Sequence, residues 1–214
     1  MGHYDDVQTM CLTRRRLLLS AAALALGACG GKPYAPLPAG SRVLALGDSL
    51  TFGYGAPPEA AYPAQLAQIS RWQVHNGGVS GDTAAQALAR LPALLHAQPQ
   101  LILLGIGGND FLRRVPEAQT RDHISRIIAA SAGIPLVLIA QPKPSLSAVF
   151  GHLDDHPLYA ELAKQHDIPL FAGGWSAVLA NRDLKSDAIH ANAAGYRRFA
   201  ERLAAFLKKQ GFLS

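Results

Sequence analysis

Two short runs, Val43-Leu44-Ala45-Leu46 and Leu101-Ile102-Leu103-Leu104, are apolar at every position, and each is stopped by a glycine, Gly47 and Gly105. No other feature restricts the fold of this chain as much. A strand with one wet face alternates polar and apolar residues, whereas a strand covered on both faces is apolar throughout. Such strands belong in a parallel sheet with helices on both sides. Leu136-Val137-Leu138-Ile139-Ala140 reads the same way, and Trp72-Gln73-Val74-His75 and Ile168-Pro169-Leu170-Phe171 are weaker runs suited to the sheet margins. Between these five strands, helical spacing or strong helix formers predict helices over 83–95, 120–132, 158–166 and 193–209. Every crossover is long enough for a helix, and right-handed crossovers then give an α/β fold with a doubly wound sheet.

Composition agrees with a folded chain of this class. Of 214 residues, 49% are hydrophobic and 16% charged, which excludes a disordered or fibrous protein. One domain of this size buries a core without disulfides or a structural metal. Twenty Lys and Arg against fifteen Asp and Glu give a net charge of +5. The basic residues are scattered, so they form no patch for nucleic acid.

The densest basic cluster, Arg14-Arg15-Arg16, precedes twelve apolar or small residues, Leu17 through Ala28. That run is too short to span a bilayer, which takes roughly 20 residues as a helix. A basic stretch, a short apolar stretch and small residues make a secretory signal peptide. Leu26-Gly27-Ala28-Cys29 resembles the bacterial lipobox, in which the cysteine becomes the diacylated first residue of the mature protein. Residues 1–28 are thus expected to be a signal peptide, Cys29 the lipidation site, 29–41 a Gly-, Pro- and Ala-rich tether, and 42–214 the folded domain. The expected location is the bacterial periplasm or cell envelope, with the protein held on a membrane through Cys29. Thr13-Arg14-Arg15-Arg16-Leu17-Leu18 fits a twin-arginine signal and a general secretory signal alike. Loss of Cys11 with the leader would leave Cys29 alone, so no disulfide is expected even in an oxidising compartment.

Ligands of doubly wound sheets bind beyond the carboxyl ends of the strands. Four polar turns fall there or beside the last helix: Gly47-Asp48-Ser49-Leu50, Gly77-Gly78-Val79-Ser80-Gly81-Asp82, Gly107-Gly108-Asn109-Asp110 and Asp187-Ala188-Ile189-His190. Together they hold a hydroxyl, an imidazole, a carboxylate and hydrogen-bond donors. Nucleophilic acyl transfer needs that set: a base to take the serine proton, an acid to orient the base, and donors for the oxyanion.

These four blocks, in this order, resemble the motif blocks of the SGNH or GDSL hydrolases, and in particular their small periplasmic esterase, thioesterase and lysophospholipase branch. The resemblance covers about Arg42 to Phe206. It implies a single-domain, flavodoxin-like three-layer fold and a serine esterase acting on acyl esters, with thioesters or lysophospholipids as further substrates. Carried over position by position, Ser49 matches the nucleophile, His190 the base and Asp187 its orienting acid. The oxyanion donors match the Ser49 and Gly81 backbone N–H groups and the Asn109 side-chain amide. No cofactor and no metal are expected. One departure is Ala191 where the family often has proline after the histidine, so this loop is expected to be less rigid.

Other readings carry less weight. Gly47-Asp48-Ser49 alone would suit a simple helix cap. Gly105-Ile106-Gly107-Gly108 lacks the third spaced glycine of a dinucleotide loop and any Gly-Lys-Ser ending. His152-Leu153-Asp154-Asp155-His156 groups metal-type ligands, but loops carry such residues for solubility. Asp48 and Asp110 are expected only to bond local backbone, and Ser80 and Asp82 to form turns. Phe111-Leu112-Arg113-Arg114 sets an apolar pair beside two cations, suited either to an acyl chain with an anionic head group or to an exposed helix start. Two alternative functions remain open: an O-acetyl esterase of cell-wall or other polysaccharide, and a lipoprotein that binds a ligand without turning it over.

Overall fold

A computed structural model describes residues 34–143 and 153–214. The signal peptide, Cys29, the first part of the tether and His152 lie outside the described residues. Five parallel strands form one sheet in the order β2-β1-β3-β4-β5, with β1 at Arg42–Gly47, β2 at Gln73–Gly78, β3 at Leu101–Gly105, β4 at Leu136–Ile139 and β5 at Leu170–Phe171. This is the flavodoxin-like strand order, which reverses direction between β1 and β3. The two weak runs are the two edges. Strand β2 begins one residue later than the sequence indicates and continues through Gly77-Gly78, pairing with Leu46 and Gly47. Gly78 is pressed so closely to the backbone of Thr51 and Phe52 that a Cβ would have no room, so the glycines extend the strand instead of ending it.

Alternation along each inner strand feeds two cores. Val43, Ala45, Leu101, Leu103, Val137 and Ile139 pack on one face with Tyr62, Leu66, Trp175, Tyr196 and Phe199. Leu44, Leu46, Ile102, Leu104 and Leu138 pack on the other with Ala87, Leu91, Ile124, Ile127 and Leu162. The helices behind them, in chain order, are α1 Ser49–Phe52, α2 Tyr62–Ser70, α3 Ala84–Leu95, α4 Gly108–Leu112, α5 Glu117–Ala130, α6 Leu158–His166, α7 Gly174–Leu179 and α8 Ala193–Gln210. Helix α3 starts on a reciprocal cap: the Thr83 backbone N–H donates to Gln86 Oε1 at 2.9 Å while the Thr83 hydroxyl accepts from the Gln86 backbone. Helix α8 is capped by Asn192 and ended by Gly211 at φ 96°.

Four helices fall close to the expected bounds, α5 starting three residues early behind Pro116. Helix α2 is an addition. Its alanines and glutamines give little polar contrast, and it is held by Tyr62 and Leu66, one turn apart and both fully buried. Among the described residues no helix is long and apolar enough to cross a membrane.

Candidate active site

Strands β1 and β3 end in register, Gly47 beside Gly105, at the point where the strand order reverses. A Cβ on Gly47 would collide with the Thr51 side chain and the Gly105 carbonyl, so the chain can turn this tightly only on glycine. Asp48 then caps α1, its Oδ1 accepting from the Leu50 N–H at 3.0 Å, and Ser49 becomes the first residue of that helix.

The second turn is fastened to the first. The Gly47 carbonyl accepts from the Val79 N–H at 3.1 Å and from Arg90 Nη2 at 2.8 Å, while Arg90 Nε pairs with Asp82 at 2.6 Å. Asp82 is thus an ion-pair partner as well as a turn former. Gly81 takes φ +87°, open to glycine and strained for other residues. The third turn grips the second: Asn109 Nδ2 donates to the Asp82 carbonyl at 2.9 Å, leaving its other amide hydrogen free of that bond. Asp110 departs from the expectation of a purely local role, because its Oδ2 accepts from the Ala84 N–H at 2.9 Å, at the start of α3, and its Oδ1 from Thr120 at 3.3 Å.

The fourth turn closes the ring. His190 Nε2 lies 3.0 Å from Ser49 Oγ, and His190 Nδ1 lies 2.7 Å from Asp187 Oδ2. The tautomer that fits carries its proton on Nδ1, which donates to the carboxylate and leaves the Nε2 lone pair to accept from the serine hydroxyl. Asp187 Oδ1 also accepts from the Ile189 and His190 backbone N–H groups, both at 2.8 Å. Partial burial opposes ionisation of this carboxyl, but the bonds from Ile189 and His190 outweigh it and hold Asp187 below the ordinary carboxylate range. Ala191 is fully buried, and the loop is tied around it by the Ser186 N–H to the His190 carbonyl at 3.0 Å and the Ser186 hydroxyl to the Ala191 carbonyl at 3.1 Å. Alanine here therefore sits in a loop held by these two bonds.

Asp48 is 2% exposed, and burial pushes its carboxyl up to about 7, reinforced by the charges of Asp110 and Asp82 against the opposing Leu50 bond. Burial also raises Asp110, less the bonds from Ala84 and Thr120.

Two neighbours of the site come from tertiary packing. Tyr54 lays its ring against His190, centroids 4.5 Å apart, and its carbonyl accepts from the Tyr196 hydroxyl at 2.7 Å. Arg113 Nη2 donates to the Gly81 carbonyl at 2.7 Å. Nothing local singles out Tyr54; Arg113 is marked by its place after the Asn109 turn and by the apolar pair that precedes it. Of the metal-type residues around 152–156, Asp155 and His156 have structural partners. Asp155 accepts from the Gly173 N–H at 2.6 Å and from the Ser176 hydroxyl, and His156 stacks on Phe111 with ring centroids 4.0 Å apart. Among the described residues no three His, Cys, Asp or Glu side chains are grouped to hold a metal. Phe111 is spent on that stack, whereas Leu112 faces outward.

A hydroxyl bonded to an imidazole that is itself bonded to a carboxylate can be deprotonated as it attacks an electrophile. Comparison with known proteins points to the same chemistry. Residues 45–198 match the model of the GDSL-like lipase/acylhydrolase family. The chain is 38% identical over 167 residues to thioesterase 1/protease 1/lysophospholipase L1 of Escherichia coli K12, covering 72% of this chain and 77% of that protein. It is 34% identical over 142 residues to an arylesterase of Vibrio mimicus, covering 62% and 70%. Among solved structures it superposes on AlinE4, an SGNH-hydrolase family esterase, with a TM-score of 0.61 and 30% identity over 80% of this chain and 95% of that one.

Proposed function

The chain belongs to the GDSL-like lipase/acylhydrolase family and hydrolyses acyl esters, and on that premise we propose that it does so through an acyl-enzyme on Ser49. Ser49 Oγ attacks the carbonyl carbon while its proton passes to His190 Nε2, and the Nδ1–H bond to Asp187 steadies the imidazolium. The Ser49 and Gly81 N–H groups and the free Asn109 amide hydrogen hold the oxyanion. Collapse expels the alcohol or thiol, which takes the proton back from His190. Water, deprotonated by the same ring, then releases the carboxylic acid and restores the serine. One observation carries this reading: the unbroken relay Ser49–His190–Asp187, at 3.0 and 2.7 Å, seated where the strand order reverses.

The substrates we propose are esters and thioesters of medium to long acyl chains, including lysophospholipids. Exposed apolar side chains flank the relay, Phe52 in α1, Val79 beside the Gly81 turn and Leu112 after Asn109, which suits an acyl tail. The test compares acetyl, octanoyl and palmitoyl aryl esters with the full chain and with Ser49→Ala. Preference for octanoyl or longer, with Ser49→Ala inactive, supports the reading; an acetyl-only profile assigns the site to polysaccharide O-deacetylation, and turnover of no ester returns it to ligand binding.

We further propose that the protein is carried into the bacterial envelope and anchored by lipid on Cys29. The basic stretch, the short apolar run and Leu26-Gly27-Ala28-Cys29 support this. Labelled palmitate should enter the native protein and not Cys29→Ala; equal labelling would refute the anchor.

A further inference from the structure

Helix α4 carries Asn109 at its second residue and ends against Arg113, four residues on and on the same side. The two side chains hold successive carbonyls of one turn, Asn109 that of Asp82 at 2.9 Å and Arg113 that of Gly81 at 2.7 Å. Arg113 is therefore fixed beside the oxyanion turn although it is exposed to solvent. Its charge is uncompensated there. Arg90, on the same turn, is paired with Asp82 at 2.6 Å, and Arg121 bridges Glu117 and Glu161 at 3.1 and 2.5 Å. Among the described residues no carboxylate lies within ion-pair distance of Arg113, whose bond goes to a neutral carbonyl. This bond uses one of the five donors of the guanidinium fork, and among the described residues no other hydrogen bond holds the rest.

The surroundings narrow what those donors meet. Val79 is 44% exposed, Leu112 50% and Phe52 53%, and each lies within three residues of Gly81, Asn109 or Ser49. An acyl tail and a fixed cation are thus offered side by side, close to the proposed oxyanion donors. We propose that Arg113 is a specificity-determining residue of this site, binding the phosphate of acyl substrates whose leaving group is anionic. The inference rests on the acyl-hydrolase reading above and deepens it. A guanidinium suits this task because its planar fork pairs with two phosphate oxygens at once and keeps its charge at every working pH. Two substrate classes share the chemistry, lysophospholipids and thioesters of phosphate-bearing carriers.

The experiment measures kcat and KM for the native chain, Arg113→Gln and Arg113→Lys on two pairs matched in acyl length. Decanoyl lysophosphatidylglycerol is set against monodecanoylglycerol, and decanoyl-coenzyme A against decanoyl-N-acetylcysteamine. For Arg113→Gln the ratio of kcat/KM, anionic over neutral, is expected to fall about tenfold through KM in at least one pair, with Lys restoring part of it. The pair that responds identifies the natural source of the phosphate. Equal losses on anionic and neutral partners would overturn the inference and leave Arg113 as a prop of the Gly81 turn. No change in either pair would also overturn it. A native chain inactive on all four substrates would instead overturn the acyl-hydrolase reading itself.

Discussion

Asp187 does two jobs with three residues of chain. One carboxylate oxygen binds the backbone N–H groups of Ile189 and His190, which shapes the turn, and the other receives the ring that the turn presents. Orientation of the base is thereby set by the same side chain that stabilises its charged form. Because those bonds hold Asp187 below the ordinary carboxylate range, it stays ionised wherever the imidazole is neutral. Asp187 itself therefore adds no titration to the rate profile at working pH. A base must be unprotonated to take the serine proton, so kcat/KM should fall on acidification, and a rate flat from about pH 5 to about pH 9 would contradict the base assignment. At this scale the sequence was informative where chemistry sits in short blocks: Ser49, Gly81, Asn109, Asp187 and His190 each stand in a polar turn. Tyr54 against His190 and the reach of Asp110 to Ala84 depend on chain segments brought together only by folding, and no local pattern encodes them.

The strand that delivers the nucleophile ends on a residue with no room for a side chain. β1 delivers Ser49 through Gly47, whose position tolerates no Cβ because of Thr51 and the Gly105 carbonyl. Gly47→Ala should therefore force β1 and β3 apart at the site, with a stability loss of about 1–3 kcal/mol and a loss of activity. Urea unfolding of the two proteins measures it, and an unchanged midpoint would show that the turn has slack. The inner strands were legible because burial on both faces leaves an all-apolar run. Edge strand β2 was only partly so, since Gln73, His75 and Asn76 are exposed and its pairing continues into glycines that look like a turn. Helix α2 left no clear periodic trace, its place being fixed by contacts of Tyr62 with Trp175 and Phe199 from distant helices.

Over the whole molecule, the site places a cost on the fold. Asp48 ionises near the ordinary carboxyl value when unfolded but at about 7 when buried, so between those values the folded state binds a proton that the unfolded state has released. Its contribution is complete at low pH, is lost as pH rises toward 7, and levels above. Asp48→Asn should flatten this part of the stability curve between about pH 4 and about pH 7; denaturant midpoints that keep the native slope would show that Asp48 is not its source. The same two-sided burial that excludes water from the sheet thus places a carboxyl that holds its proton well above the ordinary range next to the proposed nucleophile, while the polar turns stay open at the sheet's end. The account as a whole stands on Ser49 bonding covalently to the acyl group. Rapid acid quench during turnover of octanoyl aryl ester, followed by peptide mass analysis, should find an octanoyl group on the peptide containing Ser49 and none in Ser49→Ala. Undiminished turnover by Ser49→Ala, or an acyl group on another residue, would contradict it.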